Sequence, residues 1–176
     1  AVSGSGSEAV SSLIEEESLG EKLDSDYEKG FYERPIARNV IPLAGNLTEN
    51  GYSDEEMKFV NESRKILNIP ELIVEPSNAR VGVKTGHGIF CSATFEKETD
   101  VQEAIGLIDS FNGVEYWKDK LPTPLDAEGN KKVLVGRMRN GLSNSRILNF
   151  WTVSDNLLKG AALNAVQIAR YIVDND

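Results

Sequence analysis

Four stretches of strand character, at 89–95, 114–118, 132–138 and 146–153, limit what this chain can fold into more than any other feature. The run Ile89-Phe90-Cys91-Ser92-Ala93-Thr94-Phe95 alternates bulky and small side chains, the period-2 mark of a strand with two unlike faces. Shorter runs of the same kind occur at Ile73-Val74 and at Arg80-Val81-Gly82-Val83-Lys84. The glycines that follow Lys84 predict a hairpin-like link between the second of these and 89–95.

The intervening segments keep a helical period. Ser53 opens a helix that runs to about residue 67, before Pro70; its hydroxyl can cap the first turn while Glu56 reaches back to complete a capping box. A second helix over 100–111 carries Val101, Ala104, Ile105, Leu107 and Ile108. The last helix, capped by Ser154 or Asp155, sets Leu158, Ala161, Ala162, Ala165, Ile168, Ala169 and Ile172 on one face.

Near the start, Val10, Leu13 and Ile14 mark a short helix over 8–18 whose Glu15, Glu16 and Glu17 form a solvated outer face. The preceding Ser3-Gly4-Ser5-Gly6-Ser7 reads as a flexible linker or as a turn into that helix. Residues 27–50, with Gly30, Pro35, Pro42 and Gly45, read as an irregular excursion where partner contacts could lie. Strands outnumber long helices, so the expected class is α+β, a sheet covered by helices on one face with a second subunit as an economical cover for the other.

At 176 residues the chain suits a single domain with a substantial core. Its 19 Lys and Arg against 28 Asp and Glu give a net charge of -9, and no basic run occurs, which argues against nucleic acid and anionic membrane as partners. An anionic small molecule is not excluded, because a few convergent cations outweigh acidic surface that salt screens beyond ~10 Å. One cysteine permits neither an intramolecular disulfide nor a cysteine metal cluster, and no metal site is expected; a reducing cytoplasm fits best. No run of eighteen apolar residues and no signal core is present. A chain that opens Ala1-Val2-Ser3-Gly4 without Met reads as a processed product, a fragment or an excised domain.

Several residues could carry chemistry. His87 lies between Gly86 and Gly88, which allow unusual backbone angles and close approach of a ligand, though a lone histidine near glycines is more often an ordinary turn. Arg80 sits in a strand-like run and needs an anion, either a structural carboxylate or a substrate carboxylate that its planar fork would clamp. Glu55 and Lys58, three apart on one helix, suit a surface ion pair or a pair of ligand contacts. Cys91 is four residues from His87, about 13 Å along an extended strand at ~3.3 Å per residue, so the two cannot form a thiol–imidazole pair, and Cys91 reads as a small hydrophobe. Small residues follow Asp155-Asn156, where either a ligand or a packed sheet could approach the helix start.

Taken together, four stretches resemble the aspartate-semialdehyde dehydrogenase family over nearly the whole chain. They are the opening Ala-Val-Ser-Gly-x-Gly; Glu55-x-x-Lys58 with Asn61-Glu62-Ser63-Arg64-Lys65-Ile66-Leu67; Arg80-Val-x-Val-x-x-Gly-His87; and Asp155-Asn156-x-x-Lys159-Gly160-Ala161-Ala162-x-Asn164-Ala165-Val166-Gln167. Pro122-Thr123-Pro124 and Val135-Gly136-Arg137 also look like the family.

The resemblance implies a glyceraldehyde-3-phosphate-dehydrogenase-like C-terminal domain with a mixed, largely antiparallel sheet. It implies NADPH-dependent reduction of aspartyl phosphate to aspartate semialdehyde and phosphate through a cysteine thioester, by a homodimer. His87 would be the general acid/base, Arg80 would hold the substrate carboxylate, Glu55 would orient the substrate amino group, and Lys58 would help bind phosphate. Ser3, Gly4, Asn156 and Gly160 would lie along the NADP cofactor.

Three parts of the pattern that the resemblance implies are absent from these residues: the cysteine nucleophile, the glutamine that would orient the substrate and is expected just before Ala1, and the glycine-rich loop of a nucleotide-binding domain, since no G-x-G-x-x-G follows a strand. Alone, the chain is expected to be inactive. Two rivals stand beside this reading. A sibling reductase of N-acetyl-gamma-glutamyl phosphate shares the chemistry, but Glu55 argues against it because an acetylated substrate has no charged amino group. The other is a non-catalytic dimerisation module.

Overall fold

The structure, a computed structural model, describes residues 1–23 and 27–175, and the chain divides into two compact units. One comprises Val2 and residues 4–82; the other comprises Ala1, Ser3 and the chain from Val83 onward.

The opening is an ordered 3-10 turn, Val2–Ser5, and not a loose linker. Its order has a simple cause, because Val2 is fully buried among Ala9, Leu13, Leu23, Ile36 and Ala37, the core of the first unit. Helix α1 (Ser7–Leu19) supplies Ala9 and Leu13 to that core.

The acidic face expected on α1 is only partly solvated. Glu16 is buried, with Oε2 accepting from the backbone N–H groups of Ile36 (2.6 Å) and Ala37 (2.8 Å) and Oε1 accepting from the Ser12 hydroxyl (3.2 Å). Those two amides belong to an irregular segment with no ladder to satisfy them, and a carboxylate supplies the missing acceptors.

The segment from Tyr27 is irregular as expected up to β1 (Val40–Ile41). Helix α2 (Asp54–Leu67) begins as the sequence indicates: the Ser53 hydroxyl accepts from Glu56 N at 3.2 Å, and Glu56 Oε2 accepts from Ser53 N at 2.8 Å. It ends at Asn68, whose left-handed φ of 55° turns the chain before Pro70. No strand forms at Ile73-Val74; Ile73 is 84% exposed and lacks a sheet to pack on. Strand β2 (Arg80–Val81) pairs antiparallel with β1. Beyond it, a Cβ on Gly82 would meet the Ile36 carbonyl at 2.9 Å, so close approach of backbone to backbone holds this strand in the first unit.

The hairpin expected between β2 and the next strand is therefore not made. In the second unit, β3 (His87–Thr94) pairs antiparallel along its whole length with β6 (Ile147–Ser154), from His87 opposite Ser154 to Thr94 opposite Ile147. Eight residues in continuous register offer far more ladder than two. Between them come α3 (Val101–Ser110), capped by Asp100, then β4 (Val114–Trp117), the short α4 (Pro124–Ala127) and β5 (Val133–Asn140).

The sheet order is β3-β6-β5-β4, antiparallel except for the parallel β4–β5 pair, so the mixed, largely antiparallel α+β expectation holds. One face packs Val135, Met138 and Leu148 against Val101, Ala104, Ile105 and Ile108 of α3. The opposite face carries Leu134 and Val153, covered by Ala127 of α4 and flanked by Trp117 and Trp151. Each fully buried aliphatic side chain contributes about 1.5–3 kcal/mol. β3 is an edge strand that pairs only with β6 among the described residues, and Phe90 on its face is 67% exposed.

The last helix starts with a π-helical turn, Leu158–Ala162, and continues as α5 (Leu163–Asn175). Its small residues do not pack on the sheet: Ala161, Ala162 and Ala165 are exposed, as are Ile168 and Ile172. No helix among the described residues is long and apolar enough to cross a membrane.

Candidate functional site

In the first unit, the opening turns of α2 present Glu55 and Lys58 side by side. Lys58 Nζ lies 3.1 Å and 3.4 Å from the two Glu55 carboxylate oxygens, and both groups are about half exposed. The Glu55 carboxylate raises the Lys58 ammonium above its ordinary value, first through the hydrogen bond and then through charge. This is the surface ion pair the spacing allows, and it sets an anion and a cation on one helical face where a ligand can reach both.

Arg80, the first residue of β2, is half-buried. Among the described residues no carboxylate lies within ion-pair distance of it, so the structural salt bridge is not the answer to its charge. Its guanidinium carbon instead stands 5.4 Å from the centroid of the Tyr32 ring. Tyr32 lies in the irregular segment, where no periodicity or motif singles it out; sequence reasoning missed it for that reason.

In the second unit, His87 opens β3 and is exposed, with the Ala1 nitrogen 3.3 Å from its Nδ1. The two flanking glycines serve different ends. Gly86 has φ +101°, and a Cβ there would press on Pro124 at 3.0 Å; at Gly88 a Cβ would overlap the Trp151 ring. The turn is thus shaped by steric necessity on both sides of the imidazole.

Asn156 ties this turn together. Its Oδ1 accepts from Gly86 N at 2.9 Å, and its Nδ2 donates to Ser3 Oγ at 3.0 Å, while Ser3 N donates to Lys84 O at 2.9 Å. Ser3, Asn156 and the His87 turn, singled out separately in the sequence, are therefore neighbours. Gly4 follows Ser3 in the opening turn and is exposed.

Asp155 is the cap that the sequence left open between two residues. Its Oδ1 accepts from Leu157 N and Leu158 N at 2.8 Å each, and Oδ2 accepts from Gly129 N at 2.8 Å. Burial pushes its carboxyl up, but the N–H groups of Gly129, Leu158 and Leu157 outweigh that and hold it below the usual carboxylate range. Gly160, one turn on, donates to Asp155 O at 2.9 Å, and the nearest atom to a Cβ there is that same oxygen at 3.6 Å.

Gly160 is exposed, and a Cβ on it would come no nearer than van der Waals contact with Asp155 O and, at 4.0 Å, Asn156 Cβ.

Cys91 lies on β3 opposite Phe150, and no register shift interrupts the strand back to His87, so the separation expected between thiol and imidazole stands. Burial pushes the Cys91 thiol up, the reverse of what a nucleophile needs.

A family model described as the semialdehyde dehydrogenase dimerisation domain matches residues 1–159. The chain is 43% identical to an aspartate-semialdehyde dehydrogenase of Streptomyces akiyoshiensis, over 98% of this chain and 54% of that protein. It is 38% identical to aspartate-semialdehyde dehydrogenase 2 of Vibrio cholerae, over 98% of this chain and 51% of that one. A crystal structure of aspartate semialdehyde dehydrogenase II from Vibrio cholerae, complexed with ASA, superposes with a TM-score of 0.91 at 37% identity, covering 98% of this chain and 52% of that one. The chain spans about half the length of the relatives it matches.

Proposed function

Because this chain belongs to the semialdehyde dehydrogenase family through its dimerisation domain, we propose that it is the substrate-handling and dimer-forming part of an aspartate-semialdehyde dehydrogenase. The observation that carries this reading is the likeness, along nearly the whole chain, to proteins of that name. The ASA complex of the Vibrio cholerae relative supports the choice of substrate.

In this reading the whole protein reduces aspartyl phosphate to aspartate semialdehyde and phosphate. NADPH, held mainly by residues outside these 176, would supply the hydride; Ser3, Gly4, Asn156 and Gly160 would border it. The nucleophilic cysteine also lies outside them, since Cys91 is unsuited to the role.

The residues of this chain bind, orient and move protons. Arg80 clamps the substrate carboxylate; its lack of a carboxylate partner among the described residues supports this. Glu55 holds the substrate ammonium, and Lys58 beside it attracts phosphate. His87 exchanges protons with the thiol and with the oxygen of the tetrahedral adduct, a task suited to an imidazole, which can both accept and donate a proton. Two copies associate as a homodimer through the sheet, whose edge strand β3 pairs only with β6 among the described residues. Glu55 speaks against the N-acetylated glutamyl substrate, which has no ammonium to hold.

The test is phosphate-dependent reduction of NADP by aspartate semialdehyde, in the full-length protein and in its His87→Ala variant. A fall of about 100-fold or more on substitution is expected for loss of a general acid/base. Absence of activity in the parent, or indifference to His87, would direct attention to a dimerisation module or to a sibling substrate.

A further inference from the structure

We infer that Tyr32 is a positioning residue for substrate recognition: its ring is a fixed platform that holds the Arg80 guanidinium by its face and leaves the edge for a carboxylate. The inference rests on the reading of Arg80 as the carboxylate clamp and adds the part that makes the clamp rigid.

The platform is anchored from several sides. The Tyr32 ring packs against the core cluster around Leu13 and Ile36. Its hydroxyl donates to Ser5 Oγ at 3.0 Å, its carbonyl accepts from the Tyr27 hydroxyl at 2.9 Å, and Phe31 meets the ring edge-on at a centroid distance of 4.9 Å. Arg80 is fixed at its backbone by the pairing with Ile41, but a long side chain leaving a two-residue strand has many rotamers.

With the guanidinium carbon 5.4 Å from the Tyr32 centroid, the cation–π attraction selects among those rotamers, and a guanidinium lying flat over the ring keeps its in-plane N–H donors for an anion. A carboxylate in Tyr32's place would have selected a rotamer too, but would have occupied the fork. Face and edge therefore serve different partners at once, and the order imposed on the side chain before substrate arrives favours binding.

The experiment compares Tyr32→Leu, Tyr32→Phe and Arg80→Lys in the full-length protein, reading KM for aspartate semialdehyde, KM for phosphate and for NADP, and kcat. Tyr32→Leu should raise KM for the semialdehyde on the order of three- to thirty-fold, with the other parameters within about two-fold, and Tyr32→Phe, which keeps the ring, should restore it. A purely structural role for Tyr32 would move all the parameters together.

A second readout does not depend on turnover: the Arg80 Nε–H resonance, assigned by its loss in Arg80→Lys, should show a ring-current shift that survives in Tyr32→Phe and vanishes in Tyr32→Leu. If Arg80→Lys raises KM but Tyr32→Leu does not, or if the resonance ignores the ring, the platform is overturned. If the resonance follows the ring but Arg80→Lys leaves semialdehyde KM unchanged, the clamp reading fails, and the assignment of Tyr32 to substrate recognition is overturned with it.

Discussion

Asn156 Oδ1 accepts a hydrogen bond from the backbone N–H of Gly86 at 2.9 Å, which ties the start of the last helix to the turn that presents His87. The same side chain reaches Ser3, so one amide fixes two other segments of the chain. Asn156→Ala removes the acceptor from Gly86 and the donor from Ser3. The full-length protein should lose about 10- to 100-fold in kcat/KM, because sub-ångström misplacement of a reacting group costs on that order. Asn156→Asp keeps an acceptor for Gly86 and should lose less; steady-state kinetics showing equal losses would assign Asn156 to the cofactor instead of to the turn.

Gly88→Ala should be destabilising by about 1–3 kcal/mol, because the added Cβ would overlap the Trp151 ring and overpacked sites relax at that cost. Trp151 Nε1 donates to Pro122 O at 2.7 Å, and the displaced ring would lose that bond. Urea denaturation followed by tryptophan fluorescence reads both the stability and the change in the indole environment.

Glu16→Ala should cost about 2–3 kcal/mol, since it leaves the buried amides of Ile36 and Ala37 without their acceptor. Glu16→Gln keeps an oxygen and should cost less. Chemical denaturation of the two variants side by side checks the order.

Stability should fall as the pH drops below about 4. Glu56 is held below its ordinary value by the Ser53 and Asn78 backbone amides, against a smaller opposing effect of burial, and Asp155 is lowered despite burial by the amides described above. A carboxyl depressed in the folded state contributes stability that is present in full above its unfolded pKa, near 4, and is lost as the pH falls through its folded value. Urea midpoints between pH 3 and 7 should therefore decline at the acid end, and Glu56→Gln and Asp155→Asn should each flatten that decline.

Local chemistry was legible in the residues themselves. The Ser53–Glu56 box is closed within four residues, so it could be read without knowing the rest of the fold, and the cap of the last helix could be narrowed to Ser154 or Asp155 in the same way. The strands at β3, β4, β5 and β6 were visible because a half-buried sheet writes its period into the chain. The family resemblance rested on short motifs of the same local kind.

What pairs with what was not written locally. The glycines after Lys84 suggested a hairpin, but strand partners are chosen by the total ladder each pairing offers, and β6 offers β3 eight residues in register. Ile73-Val74 has strand character and no partner, because β propensity expresses a fit to a neighbouring surface. Glu16 looked solvated because its neighbours in sequence are glutamates, yet amides twenty residues on needed its carboxylate.

The candidate residues divide in the same way. Glu55 and Lys58 could be paired from their spacing alone, since helix geometry fixes which side chains meet. The convergence of Ser3, Gly86 and Asn156, and the seat of Arg80 on Tyr32, belong to the tertiary structure: these contacts join segments far apart in the chain, and only the burial of apolar surface around them brings such segments together.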